Sequence, residues 1–148
     1  MEIDWLNTAD LARWRLAVDT AALVLIWLVQ LVIYPVFAYL ARTDFERWHP
    51  LYTRRVTLVV LPVMLSQLAL YGLLLLTVPS GGELVNSLLV AGTWLITFFR
   101  AVPLHAALDE PSLADHQPAS RQLIRVNWWR TGLWSATWLI TVIDGFGR

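Results

Sequence analysis

His49, His105 and Asp109 are the side chains whose types and spacing first suggest chemistry. His105 and Asp109 stand four apart, which puts imidazole and carboxylate on one face if a helix continues past Leu108. His49, with Glu46 beside it, could approach from a facing segment. Imidazole with carboxylate suits iron, zinc, manganese or copper, and a haem between His49 and His105 meets the same spacing. The chain has no HxxxH pair, and its one ExxH spacing, Glu46 to His49, has no second such pair beside it, so a transition metal or haem is an expectation from residue type alone. A second chemistry is anion binding. Arg100 and Arg130 have few acids near them in sequence, with no Asp or Glu between Val56 and Val78 or between Val126 and Ile143. An arginine so placed invites a carboxylate or phosphate, a lipid phosphate included, with Asn127, His49 and Tyr52 completing the hydrogen bonds. Gln30 and Gln67 form a second tier, and each is followed one turn later by a tyrosine, Tyr34 and Tyr71. Each group also has a plainer role. Arg100 and Arg130 can snorkel to headgroups, Gln30 and Gln67 can bond each other between helices, and His116 reads as a solvated loop residue.

The elements that must position these groups are membrane helices. The 148 residues are 57% hydrophobic and only 15% charged, with a mean hydropathy of +0.57; a soluble domain carries about 25% charge. No cysteine is present, which excludes a disulfide framework, a thiolate zinc site, an iron–sulfur cluster and a cysteine nucleophile. The 11 basic residues are all arginine and balance 11 acids, so no charge excess points to nucleic acid. No GxGxxG, Walker or GxSxG motif occurs. Four apolar stretches, about 17–41, 54–78, 84–107 and 122–144, approach the roughly 20 residues that a bilayer core requires. The last is the weakest, because Asn127 and Arg130 interrupt it. The expected fold is therefore all-α, one transmembrane domain over 1–148, a four-helix up-down bundle with short loops.

Pro79-Ser80-Gly81-Gly82 marks a tight turn between the second and third helices, and Pro50 suggests a second helix starting near His49. Residues 5–16, with Trp5, Leu6, Leu11, Trp14 and Leu16 among charges, read either as an amphipathic surface helix or as an extension of helix one. Arg42, Arg47, Arg54, Arg55, Arg121 and Arg125 outnumber Arg13, Arg15 and Arg148 across the expected membrane. The positive-inside rule then puts the two larger loops in the cytoplasm and both termini outside. Helical spacing gathers the polar groups into inward stripes: Gln30, Tyr34 and Phe37; Tyr52, Val56, Val60, Val63, Gln67 and Tyr71; Trp94, Thr97, Ala101 and His105; Asn127, Arg130, Thr131, Trp134 and Trp138. Asp19 and Asp144 fall near the outer ends, which argues against a proton pump with an intramembrane carboxylate.

The strings Gln30…Tyr34-Pro35, Phe45…Trp48-His49…Tyr52, Pro103-Leu104-His105…Leu108 and Asn127-Trp128-Trp129-Arg130-Thr131…Trp134 resemble a loose group of uncharacterised bacterial four-span membrane proteins. The Asn-Trp-x-Arg-Thr string opening the last helix is the most specific of these. The resemblance implies a shared polar cluster and a bacterial cytoplasmic-membrane location. It also implies an acid near Gln67, which this chain lacks at that position. A more distant likeness, to anthrone-oxygenase-like membrane proteins, would imply oxidation of a polycyclic aromatic substrate, with His49, His105, Asn127 and the aromatic stripe as first suspects. The expected function is a pocket for a small ligand, lipid headgroup or metal, formed by His49, Tyr52, Arg100, His105, Asn127, Arg130, Gln30 and Gln67 near the cytoplasmic ends. The alternatives are an accessory subunit docking a larger membrane complex or a homo-oligomer, and a metal-dependent membrane oxygenase.

Overall fold

The computed structural model describes residues 8–146, which form four long helices with no strand among them. Helix α1 comprises Thr8–Leu28, a π-helical stretch Val29–Ile33 and a last turn Tyr34–Val36. Helix α2 runs unbroken over Arg42–Thr77. Helix α3 comprises Gly81–Ile96, a second π-helical stretch Thr97–Ala101 and Val102–Leu108. Helix α4 is Gln117–Phe146.

Both π stretches have the same local cause. Pro35 and Pro103 lack the N–H that would bond the carbonyl four residues back, and their rings crowd that turn. Those carbonyls belong to Leu31 and Phe99, which lie inside the widened stretches. A π turn before each proline relieves the clash and re-aims the side chains around it. Gln30 lies within the first such turn and Tyr34 closes it; His105 follows the second by one turn.

Two boundaries differ from the sequence expectation. Helix α1 starts at Thr8, so the extension reading applies over 8–16, and Trp5 and Leu6 lie outside the described residues. Of its charges, Arg15 and Asp19 are buried inside the protein, whereas the Asp10 side chain is half-exposed and that of Arg13 exposed. Helix α2 starts at Arg42 rather than near His49, leaving Pro50 in its interior. The carbonyl that Pro50 leaves without an amide is that of Glu46, on an exposed turn where water can serve it.

Helix α1 packs on α2 and α4, and α3 packs on α2 and α4. The close backbone packing of α2 on α3 is confined to Gly81–Ile96; the second half of α3 packs on α4 instead. Trp134 from α4 is wholly buried with Ala22, Ile26 and Met64, while Phe37, Phe45, Leu108 and Leu123 close a separate core at one end. Outward faces carry Leu31, Leu58, Leu76, Leu88, Leu95, Phe99 and Ile143 in the open; contiguous exposed apolar surface of this kind marks a partner or membrane contact. Three helical segments are long and apolar enough to cross a membrane: Asp10–Val36, Arg42–Thr77 and Gly81–Leu108. The fourth span expected over 122–144 has the length but not the apolar run, since Asn127, Arg130, Ser135, Thr137 and Thr141 interrupt it.

Candidate functional site

The inward stripes read from sequence are buried in part, with Tyr52, Val56, Val60, Val63, Trp94, Thr97, His105 and Trp138 half-buried. Gln30, Tyr34 and Phe37 on α1, His49 and Gln67 on α2, and Asn127, Arg130, Thr131 and Trp134 on α4 are all buried. They divide into two polar systems at different levels of the fold.

The first system joins all four helices around Arg130. Asn127 Nδ2 donates to Gln30 Oε1 at 2.8 Å, and Arg130 Nη1 donates to Asn127 Oδ1 at 3.1 Å. The guanidinium lies over the Trp134 ring, 5.3 Å from its centroid, and its charge acts on the Tyr34 and Tyr52 hydroxyls. Beside it runs a chain of short contacts: Tyr34 Oη to His105 Nε2 at 3.1 Å, His105 Nδ1 to His49 Nε2 at 3.0 Å, and His49 Nδ1 to Asp109 Oδ1 at 2.6 Å. His49 is completely buried, whereas the Asp109 side chain is 35% exposed on the loop side. His49 stacks between Phe45 and His105, with Phe37 edge-on, so its ring orientation is fixed by packing as well as by bonds.

A cavity of about 520 Å³ opens beside this chain, within the range typical of small-molecule sites. Its polar wall holds Tyr34, Tyr52, His105, Asp109 and Arg130; its apolar wall includes Val56, Val60, Met64, Trp94 and Phe98. The cavity exists because α2 and the second half of α3 diverge. Its rim, with Leu61, Phe98 and Val102, is exposed on the face where apolar side chains point outward.

Arg130 is only 5% exposed, and its Nε has no hydrogen-bond partner. Among the described residues no carboxylate lies within ion-pair distance of it. An ionised group withdrawn from water without a counter-charge is costly, by at least about 2.5–3.5 kcal/mol at membrane depth.

The second system was not foreseen. Asp19 is 1% exposed and accepts three hydrogen bonds, from Gln67 Nε2 at 2.7 Å, Tyr71 Oη at 2.6 Å and Thr141 Oγ1 at 2.7 Å. Asn86 Nδ2 donates in turn to Tyr71 Oη and Thr141 Oγ1 at 3.2 and 3.3 Å. Arg15 pairs with Glu83, donates to Asp144 Oδ2 at 2.8 Å and reaches Thr141 Oγ1 at 3.0 Å. Gly82 permits this approach, since a Cβ there would stand 2.8 Å from Asp144 Oδ2. Trp134 links the two systems: its Nε1 donates to Gln67 Oε1 at 2.8 Å while its ring meets Arg130.

Several expectations are corrected by these positions. Arg100 is exposed and belongs to neither system; the π stretch that contains it turns it outward. Gln30 and Gln67 do not bond each other, since each is taken by a closer partner, Asn127 and Asp19. Gln67 therefore belongs to the second system, not to the cavity wall. Asp19 lies three turns inside α1 rather than at an outer end, because that helix begins at Thr8. It supplies a carboxylate at the level of Gln67. His116 is buried rather than solvated, with Nε2–H donating to the Phe37 carbonyl at 2.9 Å and its ring stacked 4.1 Å from Phe45. For the metal reading of His49, His105 and Asp109, no group of three or more such ligands converges among the described residues. Their facing atoms are engaged in line, one after another, instead of pointing to a common centre.

The signal for the second system was present in sequence as Arg15 and Asp19, four apart on one helical face. No family model, curated protein or solved structure matches this chain.

Proposed function

We propose that this chain is an integral membrane protein that binds a small amphiphile with an anionic head, held at Arg130 with its tail along the apolar cavity wall. The observation that carries this reading is a buried arginine without a carboxylate on the wall of a cavity. A carboxylate or phosphate there supplies the missing counter-charge and accepts from the free Nε–H. Tyr52 and Tyr34 offer hydroxyls at the same wall. The apolar rim between α2 and α3 favours a ligand dissolved in the membrane over one dissolved in water.

In this reading the four helices form a single-domain up-down bundle. α1, α2 and α3 cross the bacterial cytoplasmic membrane, and α4 crosses with its polar face turned to them. Both termini lie outside, following the arginine-rich 42–55 and 121–125 segments inward. Cysteines introduced at Ser80 and Ser112 then label from opposite sides of sealed membranes, Ser80 from outside. Labelling of both from one side contradicts the arrangement.

The binding claim is tested by calorimetry in maltoside micelles with dodecyl phosphate as the probe and dodecanol as its uncharged counterpart. Saturable binding of dodecyl phosphate at one site per chain is expected, with dodecanol binding at least ten-fold more weakly. Equal affinity for the two removes the role given to Arg130.

A further inference from the structure

The cavity's polar wall contains more than an anion needs. Tyr34, His105, His49 and Asp109 make three consecutive hydrogen bonds of 3.1, 3.0 and 2.6 Å, from the Arg130 end of the cavity wall to a carboxylate at its edge that is also open to the loop side. One set of tautomers fills all three bonds: Tyr34 O–H donates to His105 Nε2, His105 Nδ1–H to His49 Nε2, and His49 Nδ1–H to Asp109. Every donor then points the same way, from Tyr34 toward Asp109. Purely structural bonding would not need both histidines to be bridged at both nitrogens.

We propose that this chain is a proton path between the anion site and the loop-side solvent, so that the pocket takes titratable acids and exchanges their proton on binding. The inference rests on the reading of Arg130 as an anion site. The ligand's O–H bond breaks and its proton forms an O–H bond on Tyr34, as the tyrosine's own proton passes to His105 Nε2. The Nδ1 proton of His105 passes to His49 Nε2, and the Nδ1 proton of His49 passes to the Asp109 carboxylate. Four bonds to hydrogen break and four form. The ligand is left as an anion beside Arg130, and Asp109 yields its proton to water. All donors now point inward, so a proton taken up at Asp109 travels back to the ligand when it leaves. The cycle needs no ring flip.

The groups that face this path support the direction. Arg130 from α4 favours the ligand's anionic form, and Tyr52 from α2 presents a neutral hydroxyl. His116 is held on Phe45 and the Phe37 carbonyl, outside the chain of bonds.

Dodecyl phosphate again serves as the probe, because a phosphate monoester has a second pKa near about 6 and arrives partly protonated at that pH. Stopped-flow mixing with a pH-indicator dye in weak buffer reads proton release, while tryptophan quenching reads binding. In the native chain the two signals are expected to rise together. His49→Asn, whose side chain lies outside the cavity wall, is expected to keep the quenching amplitude, and in both His49→Asn and Asp109→Asn proton release is expected to lag binding at least ten-fold. Asp109 is exposed, so its variant stays informative if the buried His49 variant fails to fold. Proton release at the native rate in Asp109→Asn, or binding by the native chain without proton release, overturns the path while leaving the anion site standing. No binding of dodecyl phosphate at all overturns both.

Discussion

Replacing Asp19 with alanine is expected to destabilise the protein by about 2–5 kcal/mol, from three lost hydrogen bonds of roughly 0.6–1.7 kcal/mol each. The carboxylate is the shared acceptor for Gln67, Tyr71 and Thr141, so its loss strands donors from α2 and α4 together. Stranding them inside a membrane protein costs more than the bonds alone, because no water is at hand to replace the acceptor. Asp19→Asn should cost less, since one oxygen still accepts from Tyr71 or Thr141 while the new amide opposes that of Gln67. Arg15→Leu should be comparably severe. It removes the guanidinium shared by Glu83 and Asp144 and so loosens the junction of α1, α3 and α4. Unfolding in mixed micelles, followed by tryptophan fluorescence, measures these differences. An Asp19→Ala midpoint equal to the native one would show that the second system does not hold the helices together.

Arg130→Met is expected to act with the opposite sign on stability. It leaves the ligand-free protein as stable as the native chain or more stable, by up to about 1–4 kcal/mol, because an uncompensated buried charge becomes an apolar side chain of similar length. The same change weakens dodecyl phosphate binding by about 100-fold, the scale of one lost buried charge-assisted contact. Asn127 loses one donor in the exchange but keeps its own bond to Gln30, so the net gain sits toward the lower end. A residue conserving fold alone would give a loss of stability and no defined effect on an anion. Arg15 and Arg130 thus differ in their surroundings: one is paired with carboxylates from two other helices, while the other has none within ion-pair distance among the described residues, and the proposed function gives that place to an anion.

How far these sites could be read from sequence depended on where charges break the apolar pattern. Helical spacing located the inward faces of α1 and α4 and part of those of α2 and α3, because polar residues inside apolar runs recur at three and four. It brought His49, His105, Asn127 and Arg130 toward one end with Gln30 deeper; in the structure His49 bonds His105, and Gln30 bonds Asn127. The same logic misread α1. Arg15 and Asp19 looked like the end of a span, yet they are satisfied by acids and donors from three other helices, which no local pattern reveals. Pro50 was misread for a related reason, since a proline near a polar loop resembles a helix start whether or not α2 continues past it. Arg100 and His105 share a helix and stand five apart, but the π stretch ahead of Pro103 changes the phase between them. That shift depends on how the proline clash is relieved, and spacing alone does not encode it.

The central claim, that Arg130 holds an anion in the cavity, is tested most directly by unfolding the native chain and Arg130→Met with and without dodecyl phosphate. Without the probe, the variant should match or exceed the native chain. At a concentration about 100 times its dissociation constant, the probe should stabilise the native chain by about 2.7 kcal/mol and leave the variant unmoved, reducing or reversing the gap. A variant less stable than the native chain under both conditions, with no response to the probe in either, would contradict the claim and make Arg130 a structural residue.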